Sequence, residues 1–290
     1  MAEYLVNETD LTAVADAIRT KGGTSEALAF PGGFVEAVGA IKSGGGGAEV
    51  IEENGSIIGM QQFVIKSDTA KNITGDFHYN PYLVEIDCPN VTDVYNTNGF
   101  ANCSKLSRVN LPKLALLPSF KNTTALIEFN FNGPKTIPQY CFYGSGIKKV
   151  VSESITSINE LRTFDSCPNL TYVNLPNVPK TGWQWNFSNC PALKKAVFSN
   201  ATEIGTGEFN KDSSLETLVL GSKTVVKLNN ANALVGTPIE SGTGYVYVPR
   251  TLEDGSDGVT AYQAATNWST YATQFRAIED YPGIEEDDTK

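Results

Sequence analysis

The chain has 290 residues and a formal net charge of −10, from 22 basic and 32 acidic side chains, with one histidine. That balance excludes nucleic acid as a partner, because displacing counterions from phosphates needs a clustered basic stripe. No stretch approaches the ~18 apolar residues of a membrane-spanning helix.

Residues 1–43 read as a small helical hairpin. Asn7-Glu8-Thr9-Asp10 offers N-cap side chains before Leu11, Val14, Ala15 and Ile18, which share one helical face. Lys21-Gly22-Gly23 stops that helix, and Pro31 opens a second one carrying Phe34, Val35, Val38 and Ile41. The run Leu11-Thr12-Ala13-Val14-Ala15-Asp16-Ala17-Ile18-Arg19, then Gly23-Thr24-Ser25, then Phe30-Pro31-Gly32-Gly33-Phe34 resembles the N-terminal module of tail, baseplate and fibre proteins of phages and prophages of gut Firmicutes. It departs from that pattern at Gly33. The resemblance implies docking on other virion proteins through Leu11, Val14, Ile18, Phe30 and Phe34; an unrelated helical hairpin is the alternative. The first twenty residues lack a basic region followed by an apolar run, so the expectation is a chain that stays in the compartment where it is made.

Gly44 to Gly47 form a linker with no side chain to pack. Residues 48–59 alternate about Asn54-Gly55, a two-residue hairpin signal, and are expected to cap the first repeat.

From 60 to 236 one sentence is written repeatedly. Leu83, Leu106, Leu126, Ile147, Leu170, Leu193 and Leu215 are equivalent, at steps of about 20 to 23 residues, and Met60 opens a degenerate first copy. Three and five places on, apolar residues alternate with polar ones, as in Val109/Leu111, Phe129/Phe131, Val173/Leu175, Ala196/Phe198 and Leu218/Leu220, which predicts a short strand with one buried face. Proline then ends the strand, as at Pro89, Pro112, Pro134 and Pro176. A second apolar cluster follows, such as Ile155 with Ile158, and an aromatic plugs the far side: Phe100, Phe120, Tyr140, Phe164, Phe187 and Phe209. One coil cannot enclose these side chains, so the copies must stack into one elongated solenoid. Ser152-Glu153-Ser154 replaces Leu-Pro in the Ile147 copy, which predicts a loosened or bulged rung there.

These residues resemble the BspA-like leucine-rich repeats over about 60 to 250, implying an α/β repeat solenoid that is mostly β. That family includes surface adhesins, phage proteins and proteins of unknown role. Residues 237–290 are expected to cap the stack and end in an acidic tail: a strand at 244–249, a helix over 257–275 burying Val259, Tyr262, Ala265, Trp268, Ala272 and Phe275, then solvated Asp287-Asp288. An odd count of five cysteines, three in one column, predicts free buried thiols.

Material for catalysis is poor. His78 stands alone in a turn sequence, no nucleophile motif is present, and no Cys/His spacing fits zinc, so neither enzyme activity nor a cofactor is expected. Binding has better support. Arg108/Asn110, Glu128/Asn130 and Tyr172/Asn174 belong to outward strand columns, and of Trp183 and Trp185 one should be core while the other points out to a sugar ring or another subunit. Candidate binding residues are therefore Trp183, Trp185, Tyr172, Asn174, Asn130 and Arg108. The favoured expectation is a virion structural protein, a tail, baseplate or head fibre whose solenoid meets a host cell-surface glycan or protein. A homotrimer is one assembly open to it, and a bacterial BspA-like surface adhesin or interaction protein is the alternative.

Overall fold

The computed structural model describes residues 49–53, 56–75, 77–95, 98–158 and 161–288. The chain divides into two compact units, Met1–Lys66 and Ser67–Lys290. In the first, Glu49–Glu53 pairs antiparallel with Ser56–Lys66, so the expected hairpin forms. Its second strand runs on through Met60 to Lys66, so the hairpin's second arm and the first copy's strand are one element. The helical module 1–43, with Leu11, Val14, Ile18, Phe30 and Phe34, the linker 44–47 and the turn at Asn54-Gly55 lie outside the described residues.

The second unit is a mostly β parallel solenoid. Front strands come from the alternating segments: Leu83–Asp87 pairs with Arg108–Asn110. Lys149–Val151, Tyr172–Asn174, Lys195–Phe198, Thr217–Leu220, Tyr245–Val248 and Phe275–Ala277 form one parallel sheet. Register is set by the repeat, so Val150, Val173, Ala196 and Leu218 fall in one row. The second apolar cluster makes short back strands, for example Thr136–Ile137 with Ser157–Ile158 and Glu203–Ile204 with Lys227–Leu228.

Between the two sheets the expected aromatic column forms, with one change. Phe100, Phe120, Phe142, Phe164, Phe187 and Phe209 are fully buried and stack ring on ring at 5.5, 5.4, 5.3, 5.3 and 6.0 Å between centroids. Phe142, not Tyr140, fills the column; Tyr140 is 36% exposed. Two places after each ring the backbone is left-handed: Asn102, Asn122, Gly144, Ser166, Asn189 and Lys211 have φ of 62°, 56°, 65°, 62°, 56° and 67°. That twist turns each N–H onto a carbonyl of the next rung, such as Asn122 to Tyr143 and Ser166 to Ser188. Asparagine tolerates the conformation better than most residues, and Asn122 Nδ2 also donates to Asn102 Oδ1 at 2.8 Å.

All five cysteines are free and buried. Cys103, Cys167 and Cys190 donate their thiols to the carbonyls of Phe77, Phe142 and Phe164 in the preceding rung, at 3.0, 3.1 and 3.2 Å. Burial pushes the Cys141 and Cys190 thiols up, which keeps them in the unreactive protonated form.

Two rungs depart from expectation. The Ile147 copy is neither loosened nor bulged: Val150 pairs in register with Val173. Buried Ser152 replaces the missing leucine by donating to the Phe131 carbonyl at 3.0 Å while its Oγ accepts from Ser154 and Ile155. The irregular rung is the preceding one, where 126–131 forms no strand. There Phe129 and Phe131 stand where other rungs carry smaller pairs, and their rings crowd Phe120, Phe142 and Phe164.

The C-terminal cap also differs. The helix spans only Gly258–Ala264 and ends at extended Ala265; Asn267, with a φ of 66°, precedes the 3-10 turn Trp268–Gln274, and Phe275 begins the last strand. Tyr262, Trp268 and Phe275 are buried, as expected, and their rings meet at 5.4 to 5.8 Å.

Removing a mid-column ring leaves a cavity between two rungs that share it. Phe164→Ala is expected to cost about 3–5 kcal/mol in urea unfolding, against less than about 0.5 kcal/mol for Tyr140→Ala.

Candidate interaction surfaces

The side chains that reach solvent in a shared direction are set by a second left-handed column. Tyr140, Arg162, Trp185 and Gly207 lie two places before a stacked phenylalanine and have φ of 56°, 51°, 53° and 62°. Each of the first three donates its N–H to the following rung, at Leu161, Gln184 and Thr206, and the twist throws the side chain outward. The Arg162 guanidinium lies 4.7 Å from the Trp185 ring centroid, a cation–π contact, and also pairs with buried Asp165. The indole rests on Gly207, where any side chain would collide with it. Farther along the same edge, the Lys121 ammonium lies 5.8 and 5.2 Å from the Tyr140 and Tyr143 rings.

A groove of about 620 Å³ runs beside these groups, lined by His78, Tyr79, Asn102, Lys121, Gln139 and Tyr140, with Tyr79 69% exposed. Trp183 is 70% exposed and lines a smaller groove of about 260 Å³ with Ile158, Pro179, Lys180 and Glu203. The expectation of one core tryptophan in this pair is corrected: Trp185 is half-buried at the surface, while Asn186 and Phe187 occupy the interior. Tyr79, Lys121, Tyr140 and Arg162 were not legible as a set in the sequence. Their signal is position relative to the phenylalanine column, which needs the correct column first.

The strand-face candidates separate. Arg108 and Asn130 are exposed, with Arg108 paired to Glu85 at 2.6 Å. Tyr172 is buried and Asn174 half-buried, because the chain's own C-terminal residues lie over them. Asp287 and Asp288 are correspondingly not simply solvated; they pair with Lys149 and Lys195.

The model of the BspA type leucine-rich repeat region matches residues 56–146 and 117–237, in six copies. The chain belongs to this family. No curated protein matches it. Among solved structures, a leucine rich cell surface protein from Faecalibacterium prausnitzii A2-165 is 16% identical over 70% of this chain and 60% of that one, with a TM-score of 0.41. A leucine-rich repeat protein from Bacteroides ovatus ATCC 8483 is 15% identical over 70% of each chain, with a TM-score of 0.32. This BspA-type chain therefore spans about 60% of the length of the first of these.

Among the described residues of this BspA-type solenoid, no group of three His, Cys, Asp or Glu side chains is placed to hold a metal. Besides Asp165, the acids Glu208 and Asp212 are buried. Burial pushes the Glu208 carboxyl up to about 8, against weaker opposing hydrogen bonds from the Asn186 N–H and the Thr181 hydroxyl. Burial likewise raises Asp212, against the Cys190 N–H it accepts. Both are fully buried inside the stack. Because the folded state holds the Glu208 proton above the ordinary value of 4.5, stability is complete below that pH. It declines as pH rises toward about 8 and then levels off. Thermal melts across this window should show that decline, and Glu208→Gln should lessen it, leaving the share that Asp212 contributes.

Proposed function

We propose that the chain is a non-catalytic interaction protein whose turn edge binds a cell-surface glycan. The observation that carries this reading is the line of outward aromatic and cationic groups, Tyr79, Lys121, Tyr140, Arg162 and Trp185, with a groove beside the first three and exposed Trp183 lining a second one. Aromatic faces suit the C–H faces of sugar rings, and Asn102 and Gln139 supply hydrogen bonds at the groove wall. Membership of the BspA-type repeats supports an adhesive or protein-interacting role of the kind found in that family.

A virion setting is a second reading, favoured by the sequence from Leu11 to Phe34. In it the N-terminal module docks on other virion proteins, the solenoid meets the host surface, and a homotrimer is the natural assembly of a fibre. The two settings share the same binding edge and differ in where the protein resides.

Glycan arrays probed with the purified chain should give a defined set of ligands, and Trp183→Ala and Trp185→Ala should each weaken binding by about tenfold or more, the scale of a lost aromatic contact. Binding to proteins alone, unchanged by either substitution, overturns the glycan reading. Mass spectrometry of purified phage particles and of washed cell surfaces from the same culture then assigns the setting.

A further inference from the structure

The strand face carries a separate, occupied site. Lys149, Tyr172, Lys195, Thr217 and Tyr245 are register partners across five neighbouring front strands. Two places on, Val197, Val219 and Tyr247 join Tyr172 in a small apolar cluster on the outside of the sheet. The exterior of the front strand at Arg108 and Asn110 is polar, whereas here several apolar side chains lie side by side, a patch that favours a cover.

Ile278 packs on one side of the cluster, and the residues after Asp280 supply the rest: Ile284 packs on it, and the Tyr281 ring meets Tyr247 edge-on at 5.1 Å. The segment then crosses the strands, held mainly by its backbone. Tyr172 Oη donates to the Glu285 carbonyl at 2.8 Å and Lys195 Nζ to the Glu286 carbonyl at 2.9 Å. Beyond them Asp287 pairs with Lys149 at 2.5 Å and Asp288 with Lys195 at 2.9 Å.

This cover is an imperfect occupant. It adds no strand to a sheet edge, and the Asp288 side chain is 73% exposed, so its ion pair contributes little. Buried Asn174 Oδ1, beneath the segment, has no hydrogen-bond donor, an omission that costs stability and that a better-fitting ligand can repair. Lys195, by contrast, lies beside Tyr172 in the strand register with its side chain only 4% exposed beneath the segment.

The geometry points to a peptide-binding site on this face, from Tyr247 to Lys149, that takes an extended segment with an apolar anchor followed by acidic residues. Tyr281–Asp288 is its resident occupant, displaced when such a segment from a partner protein binds. The partner's backbone carbonyls meet Tyr172 and Lys195, its carboxylates meet Lys149 and Lys195, and a donor from it satisfies Asn174. This surface lies on the sheet and is independent of the aromatic turn edge proposed for glycan.

A labelled peptide of the sequence Tyr281 to Asp288 is the probe, read by fluorescence anisotropy. A chain ending at Asp280 keeps every strand and should bind it; the full chain should bind at least about tenfold more weakly, because its site is mostly filled. Binding should weaken with added salt and disappear in the shortened chain carrying Lys149→Glu and Lys195→Glu. Circular dichroism confirms that each variant is folded. If the shortened chain does not fold, the full chain carrying Ile284→Asp and Asp287→Lys serves, since it frees the face without removing residues and should take up the peptide more tightly than wild type. Absence of peptide binding to a folded, freed face overturns the proposal. So does equal binding to the freed and full chains, or tail exchange between copies with no uptake of peptide.

Discussion

Phe100, Phe120, Phe142, Phe164, Phe187 and Phe209 stack with centroids 5.3 to 6.0 Å apart, and every other feature of the solenoid is arranged to keep them so. Parallel strands fix neighbouring rungs about 4.8 Å apart, so whatever occupies a column must tolerate a copy of itself directly above and below. Offset rings meet that demand and bury a large apolar area at each step. The cysteines beside them answer a related problem, since a thiol small enough to fit next to a ring can still donate to the carbonyl of the rung below.

The same constraint shapes the surface. A coil that brings a ring inward every turn must reverse sharply on either side of it, and the left-handed residues at Tyr140, Arg162 and Trp185 make one of those reversals. Their side chains have no room inside and stand in line outside, where Arg162 covers Trp185 and Lys121 lies over Tyr140 and Tyr143. An ordered aromatic and cationic edge is thus a by-product of stacking phenylalanines, available for recognition without a dedicated loop.

Much of this was legible because the repeat is written in side-chain periodicity. Alternation at Val173/Leu175 and Leu218/Leu220 located the front strands, and Ile155 with Ile158 located the back. Where two solutions had the same local pattern, the sequence misled: Tyr140, Phe142 and Tyr143 lie within four residues, and only the neighbouring rungs decide which ring enters the stack. Ser152 looked like a defect because its Oγ substitutes for leucine through hydrogen bonds, which hydrophobic patterning cannot register. The covered strand face was invisible for a different reason. Lys149 meets Asp287 across a separation of 138 residues, so the local composition of either segment describes a solvated charge.

Hydrogen exchange by mass spectrometry of the intact chain tests the dependence on the ring column most directly. The account predicts two well-protected blocks of front strand, at 83–87 with 108–110 and from 149 to 220, separated by fast exchange at 127–131, while the amides of Phe120 and Phe142 on the column stay slow. Slow exchange throughout 127–131 would contradict the irregular rung, and fast exchange at Phe120, Phe142 and Phe164 would contradict the claim that the stacked rings hold the solenoid together.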